Sequence, residues 1–168
     1  MKSYLRPGVV ARFVAALALA GSGPAMAFSC NLSFGSLNLG SYVGAQISSF
    51  SQATLVCTHG GGGNESVSFQ VRLSPGAGNY AQRQMNRASA PPDTLPYNLY
   101  LNALPAVLNT FVWGDGSGGT VFWSGNFNLN NGNSPVTRTA TLWGAIPAGS
   151  APSAGTYQDT VVATILFL

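Results

Sequence analysis

Beyond residue 28 the chain alternates between apolar and polar positions with a period of two. Ser66-Val67-Ser68-Phe69-Gln70-Val71-Arg72-Leu73 is the clearest case, with Val67, Phe69, Val71 and Leu73 on one side. Such alternation predicts a half-buried antiparallel strand. Asn31 to Leu37, with its looser apolar spacing, predicts a short first strand, and Ala53-Thr54-Leu55-Val56-Cys57 a second one. His59 and the glycine run after it end that strand. Further strands are predicted over Leu95 to Leu101, Thr120 to Trp123, Val136 to Trp143 and Thr156 to Leu168. Pro96 gives its strand the character of an edge or a bulge, because proline cannot donate to a ladder. Trp113-Gly114-Asp115-Gly116-Ser117-Gly118-Gly119 carries turn chemistry, with an Asp-Gly pair suited to positive φ.

Roughly six to eight short strands with glycine-rich connections fit an all-β sandwich, with no helix after the N-terminal segment. Composition agrees: 21 glycines and 10 prolines disfavour a helical bundle. Charged residues at 7% and hydrophobic residues at 46% are the reverse of a disordered balance. No linker or repeat divides residues 28–168, which read as one domain.

The N-terminus has a different character. Met1-Lys2-Ser3-Tyr4-Leu5-Arg6 is basic, Phe13 to Ala20 is apolar, and Ala25-Met26-Ala27 supplies small residues at −3 and −1. These features predict a secretory signal peptide over residues 1–27, cut after Ala27. An uncleaved membrane anchor is the rival reading, and its apolar core is short for that. Lys2, Arg6 and Arg12 account for the whole formal charge of +3, since Arg72, Arg83, Arg87 and Arg138 are matched by Glu65, Asp93, Asp115 and Asp159. A nucleic-acid-binding reading thereby loses its electrostatic basis. Export into an oxidising compartment makes a structural disulfide the expected state of Cys30 and Cys57. A metal pair would need more ligands than His59, and Cys57-Thr58-His59 is too compact for zinc.

Catalytic constellations are scarce. Every Ser-His-Asp or Cys-His arrangement would depend on His59, the single histidine, which reads as an exposed loop residue. No two carboxylates lie close enough in sequence to suggest a paired-acid glycosidase. Asp115 lacks the neighbouring oxygen ligands of a calcium loop. Gly114, Gly116 and Gly119 match G-x-G-x-x-G, but strand-prone Thr120-Val121-Phe122-Trp123 follows where a dinucleotide site needs a helix. No cofactor is expected. Trp113, Trp123 and Trp143 could form a sugar platform or fill a sandwich core.

The C-terminal stretch Tyr157 to Leu168 has Val161, Ala163, Ile165 and Phe167 on one face, while Val162, Leu166 and Leu168 make the other largely apolar. So apolar a strand should not remain an open edge. Here the residues resemble the spore coat protein U domain family, which includes subunits of archaic chaperone–usher pili. The resemblance spans nearly all of residues 28–168. It rests on Cys30 and Cys57, on Arg83-Gln84-Met85, and on Leu95-Pro96-Tyr97-Asn98-Leu99-Tyr100. Trp113-Gly114-Asp115-Gly116, Trp143-Gly144-Ala145-Ile146-Pro147-Ala148-Gly149 and Gly155-Thr156-Tyr157-Gln158-Asp159-Thr160-Val161 complete it.

The resemblance implies an incomplete immunoglobulin-like sandwich lacking its last strand, in a non-enzymatic subunit secreted through the periplasm to the cell surface. Its implied partners are a periplasmic chaperone, an outer-membrane usher and an adjacent subunit that donates a β-strand. The expected groove residues are Leu32 and Phe34 on the first strand and Val161, Ala163, Ile165 and Phe167 on the last. Cleavage after Ala27 would leave only Phe28 and Ser29 before Cys30, and earlier cleavage after Ala20 would add Gly21-Ser22-Gly23-Pro24-Ala25-Met26-Ala27, which neither alternates nor suits a strand. The expectation is therefore a subunit that accepts a strand without donating one, at a fibre tip. A secreted coat protein and a carbohydrate-binding module are the alternatives.

Overall fold

The computed structural model describes the backbone of residues 9–15 and, in full, residues 28–61, 63–108 and 110–168. The cleavage position after Ala27 lies outside the described residues. Among the described residues all regular structure is extended apart from one turn of 3₁₀ helix at Ser117–Gly119. The strands are β1 (Val9–Ala15), β2 (Phe28–Phe34), β3 (Leu37–Gly40), β4 (Ile47–His59) and β5 (Glu65–Leu73). They continue as β6 (Arg83–Arg87), β7 (Thr94–Leu101), β8 (Trp123–Leu129), β9 (Val136–Ile146) and β10 (Tyr157–Phe167). The all-β sandwich expected from the alternation is the observed architecture, and it is consistent with the immunoglobulin-like form that the resemblance implies.

One layer holds β2, β4, β9 and β7 in that order, every contact antiparallel. The other holds β3, β1, β10, β5 and β8, and β6 bridges β7 to the start of β10. The core lies between the layers. Val67, Phe69, Val71 and Leu73 of β5 are all buried, as their alternation requires. They meet Leu55 of β4, Leu142 of β9, Leu99 of β7 and Trp113 in one cluster.

Several elements differ from the sequence expectation. The first strand does not run through Leu37: the chain turns at Gly35-Ser36 and changes sheets. Gly35 N donates to Gln52 O at 2.9 Å, and β3 then begins on the opposite layer. An added Cβ on Gly35 would stand 2.7 Å from Ser51 Oγ, so a side chain would crowd this crossing. β4 starts six residues earlier than Ala53, at Ile47, because it pairs with β9 along Ile47 to Cys57. β7 is not an edge strand. Pro96 faces Gln84 of β6, while pairing with β9 begins only at Asn98, so the proline sits where its missing N–H leaves no gap in the β9 ladder. The predicted turn after Trp113 is present: Gly116 has φ +94°, and Asp115 accepts bonds from Ser117 N (2.8 Å) and Ser117 Oγ (2.6 Å).

Candidate functional site

The arrangement around β10 sets this fold apart. One edge of β10 is fully engaged. Ala163 to Phe167 pair with Leu73 to Phe69 of β5, and Tyr157 and Gln158 pair with Arg87 and Asn86 of β6. Between these two ladders Ser74 fills the space, its N–H donating to Val162 O (2.8 Å) and its Oγ accepting from Val162 N (2.9 Å). The other edge of β10, from Tyr157 to Ala163, is covered by β1 alone, which runs parallel to it. β1 is also the neighbour of β3, pairing antiparallel through Val9 to Ala11 with a shift in register. Among the described residues, β3 joins this layer only through β1. Without residues 9–15 there is a slot one strand wide between β3 and β10.

The sequence places the inner side of that slot on β10. Tyr157, Asp159, Val161, Ala163 and Ile165 are buried, while Gln158, Thr160 and Val162 face out. Val161 at 0% and Ala163 at 1% exposure lie entirely inside, and Phe167 is half-buried. Leu32 and Phe34 lie on the inward side of β2, in the opposite layer, and both are half-buried against the core. Phe28 on the same side of β2 meets Phe167 edge-on, ring centroids 5.2 Å apart, which joins the first strand of that layer to the end of β10. Phe34 packs instead towards Trp113, at 6.2 Å. The structure therefore gathers Val161, Ala163, Ile165 and Phe167 on one wall and places Leu32 and Phe34 across the core from them.

Sequence reasoning missed the far bank. Leu37 (0% exposed) and Leu39 (5%) of β3 seat against Gly144 of β9, where an added Cβ would lie 2.7 Å from Leu37 Cδ2. Their Leu-x-Leu spacing is present in the sequence, but the expected first strand takes in Leu37 and stops short of Leu39. Tyr157 and Asp159 at the other end of β10 were missed as well.

Asp159 is a buried carboxylate with every role filled. Oδ2 accepts from the Tyr97 hydroxyl at 2.6 Å, and Oδ1 accepts from Ala77 N (3.1 Å) and Thr160 N (2.8 Å). Burial, with the Asp159 bond second, pushes the Tyr97 phenol far above its ordinary range, so it stays a donor. Arg83 is also fully buried. Its guanidinium donates to Asn98 Oδ1 (2.7 Å), Trp113 O (2.8 Å) and Ser74 O (2.9 Å). Burial holds its pKa below the usual arginine value. Through Ser74 this cluster fixes the engaged edge of β10 at Val162.

The other candidates fall in bland surroundings. Cys30 and Cys57 face each other across β2 and β4 and form a disulfide, Cα atoms 4.0 Å apart. His59 ends β4, with its ring nitrogens 3.0 Å from Asn131 Oδ1 and 2.9 Å from Gly63 O. Trp113 and Trp123 are buried in the core, and Trp113 Nε1 donates to Val71 O at 3.0 Å. Only Trp143 reaches the surface, half-buried beside exposed Phe50 at 5.0 Å. The Gly114–Gly119 motif ends in the 3₁₀ turn Ser117–Gly119, and β8 follows it in place of the helix a dinucleotide site needs. No group of three or more metal-ligating side chains occurs among the described residues, and none of their helices is long and apolar enough to cross a membrane.

Comparison with curated proteins yields no match. Comparison with protein families matches residues 15–164 to the Spore Coat Protein U domain. That match covers most of the chain, including every strand from β2 to β9 and most of β10. On that coverage the chain belongs to the Spore Coat Protein U domain family, a family of pilus- and coat-type surface proteins.

Proposed function

We propose that this protein is a non-enzymatic subunit of a surface pilus, and that it accepts a β-strand from another molecule in the slot between β3 and β10. The observation that carries this reading is the dependence of both slot edges on a segment outside the sandwich, residues 9–15. Tyr157 to Ala163 on one side and Leu37 to Gly40 on the other are aligned to receive one extended strand. Main-chain hydrogen bonds to both edges supply affinity, and alternate side chains entering over Val161 and Ala163 supply register. A periodic apolar donor fits this site; a compact small molecule does not.

The partners follow from the life of such a subunit. A periplasmic chaperone would fill the slot after export, an outer-membrane usher would handle the exchange, and the next subunit would supply the permanent strand. Once residues 1–27 are removed, Phe28 and Ser29 before Cys30 are too short to act as a donor strand. The subunit then takes a strand without giving one, which suits the end of a fibre. Val161, Ala163, Ile165 and Phe167, with Leu32 and Phe34 below, are the residues proposed to receive the donor.

The test is thermal unfolding of the chain beginning at Phe28, with and without a synthetic donor-strand peptide from a companion subunit. Peptide at about 100 times its Kd stabilises by ~2.7 kcal/mol, which for a domain of this size raises Tm by about 5–10 °C. An unchanged Tm with no complex in size-exclusion chromatography would reject the acceptor role.

A further inference from the structure

The layer made of β2, β4, β9 and β7 has an outer face that the core and the strand slot leave free. Alternation fixes what it presents. On β4 the inward series Ser51, Ala53 and Leu55 is buried, so Phe50, Gln52 and Thr54 point outward. On β9 the buried Ala140 and Leu142 set Thr139, Thr141 and Trp143 outward. The register brings these together as the cross-strand pairs Phe50↔Trp143, Gln52↔Thr141 and Thr54↔Thr139. Among the described residues no outward position of β2, β4 or β9 carries an ionisable side chain. Arg138 belongs to the other series: it stands opposite Leu55, and its guanidinium lies over the Phe127 ring at 5.4 Å.

The aromatic pair is held in place from one side only. Trp143 packs, with Leu104 and Leu108, against the small buried cluster of Tyr100, Val112 and Ala145, which fixes the indole. Phe50 lies outside both buried clusters and is 63% exposed, its ring centroid 5.0 Å from that of Trp143 at an interplanar angle of 41°. Next to the rings the face turns to amides and hydroxyls. Exposed Asn102 is pinned beside them, its N–H donating to Thr141 O at 2.7 Å and its Oδ1 accepting from Thr141 N at 3.2 Å. From Phe50 to Thr54 the strip runs about 13 Å along the strand.

The ligand that satisfies such a strip has an apolar face for the rings and hydroxyls for the rest. An apolar partner would bury Gln52, Thr54, Thr139 and Thr141 without giving them hydrogen bonds, which is costly. A nucleic acid or an acidic polymer would meet no cation. A pyranose ring presents C–H groups on its faces and hydroxyls on its rim, and consecutive rings of an extended glycan follow one another along a strip. We infer that the Phe50–Trp143 pair and the neutral strip beside it bind an uncharged polysaccharide, with sugar rings stacked on the aromatics and hydroxyls bonded to Gln52, Thr141 and their neighbours. The site is independent of the acceptor reading, because the slot between β3 and β10 lies in the other layer.

The test titrates a panel of neutral hexasaccharides (cellohexaose, chitohexaose, mannohexaose and laminarihexaose) into the full chain expressed for export, followed by calorimetry and tryptophan fluorescence. Trp113 and Trp123 are 0% and 7% exposed, so a change in emission reports Trp143. At least one sugar should bind saturably with Kd at or below ~1 mM, and equally well in about 0.05 and 0.5 M salt, since no charge takes part. Phe50→Ala should weaken binding about tenfold or more, and Gln52→Ala by roughly 3- to 10-fold, both at unchanged Tm. Trp143→Phe should keep the heat of binding and lose the change in emission. Absence of binding across the panel overturns the inference, as does binding that salt abolishes or that Phe50→Ala and Gln52→Ala leave unaltered. Self-association, or retention on a phenyl resin, that Phe50→Ala abolishes in a protein that binds no sugar assigns the face to a second copy or an apolar surface and overturns it too. Sugar binding by a chain that takes no donor strand rejects the acceptor role alone; strand uptake by a chain that binds no sugar rejects this site alone.

Discussion

Arg83 offers the sharpest test of how the slot is held open on its engaged side. The guanidinium is fully buried and reaches three acceptors on three different segments: Ser74 O, Trp113 O and Asn98 Oδ1. Arg83→Met keeps an unbranched apolar stem but ends short of the guanidinium and strips every donor. The two carbonyls belong to backbone that cannot turn away, since Ser74 N is committed to Val162 O and Trp113 N to Leu99 O. An unsatisfied buried acceptor costs about 1–3 kcal/mol, and removing one member of a buried charged network costs about 3–5 kcal/mol in total. Against a domain stability of about 5–15 kcal/mol, that loss is decisive. With a urea m-value of ~2 kcal/mol/M, the unfolding midpoint should fall by about 2 M. Arg83→Lys should fall between, since one ammonium cannot reproduce a planar fork spread over three segments. The assay is urea unfolding followed by tryptophan fluorescence. A Met variant within about 1 kcal/mol of the parent, at an unchanged m-value, would refute the view that this guanidinium supports the β10 edge.

Three further outcomes are expected. Replacing Cys30 and Cys57 by alanine removes a bridge across a sequence separation of 27, which the chain-entropy relation values at about 3.6 kcal/mol; the loss should show in the same urea assay. Asp93 is held below its ordinary 3.8, at about 2, first by the Ser153 backbone N–H and then by the Tyr157 hydroxyl. A depressed carboxylate stabilises above its ordinary pKa and stops doing so as pH falls from near 4 through about 2. Tm should therefore drop in that window, and Asp93→Asn should flatten the drop when scanned by calorimetry. Gly76 has φ +67°, and an added Cβ would overlap the Asp159 carboxylate. Gly76→Ala should cost at least ~2 kcal/mol by circular-dichroism melting, from backbone strain and overpacking together.

Where a strand buries one regular face, the sequence revealed it. Val67, Phe69, Val71 and Leu73 were legible because nothing but alternation decides that strand, and the same holds for Val161, Ala163 and Ile165. Elements whose form is set by a neighbour were not legible. The first half of β4, Ile47-Ser48-Ser49-Phe50-Ser51-Gln52, puts a phenylalanine outside and a serine inside (Ser51, 8% exposed), inverting the usual signal. It is extended because β9 pairs with it residue by residue. β6 contains one apolar residue, Met85, and reads as a polar loop until Arg83 is seen to be buried with its charge shared among carbonyls. β3 was hidden by the sheet change at Gly35-Ser36, because periodicity carries no information about which layer a strand joins.

That sheet change also explains why the slot lies where it does. Had the first strand continued straight through Leu37, as its apolar positions suggested, β3 would have lengthened β2 in the opposite layer. β10 would then be an ordinary edge, open along its length to any strand. By crossing over, the chain plants Leu37 and Leu39 on Gly144 and sets a second bank parallel to the line of β10, one strand away. An open edge accepts strands of many kinds and invites aggregation. A slot with two banks demands both a defined register and a length matched to Tyr157 through Ala163. Selectivity for one donor thus begins at the glycine-serine pair that leads the chain into β3.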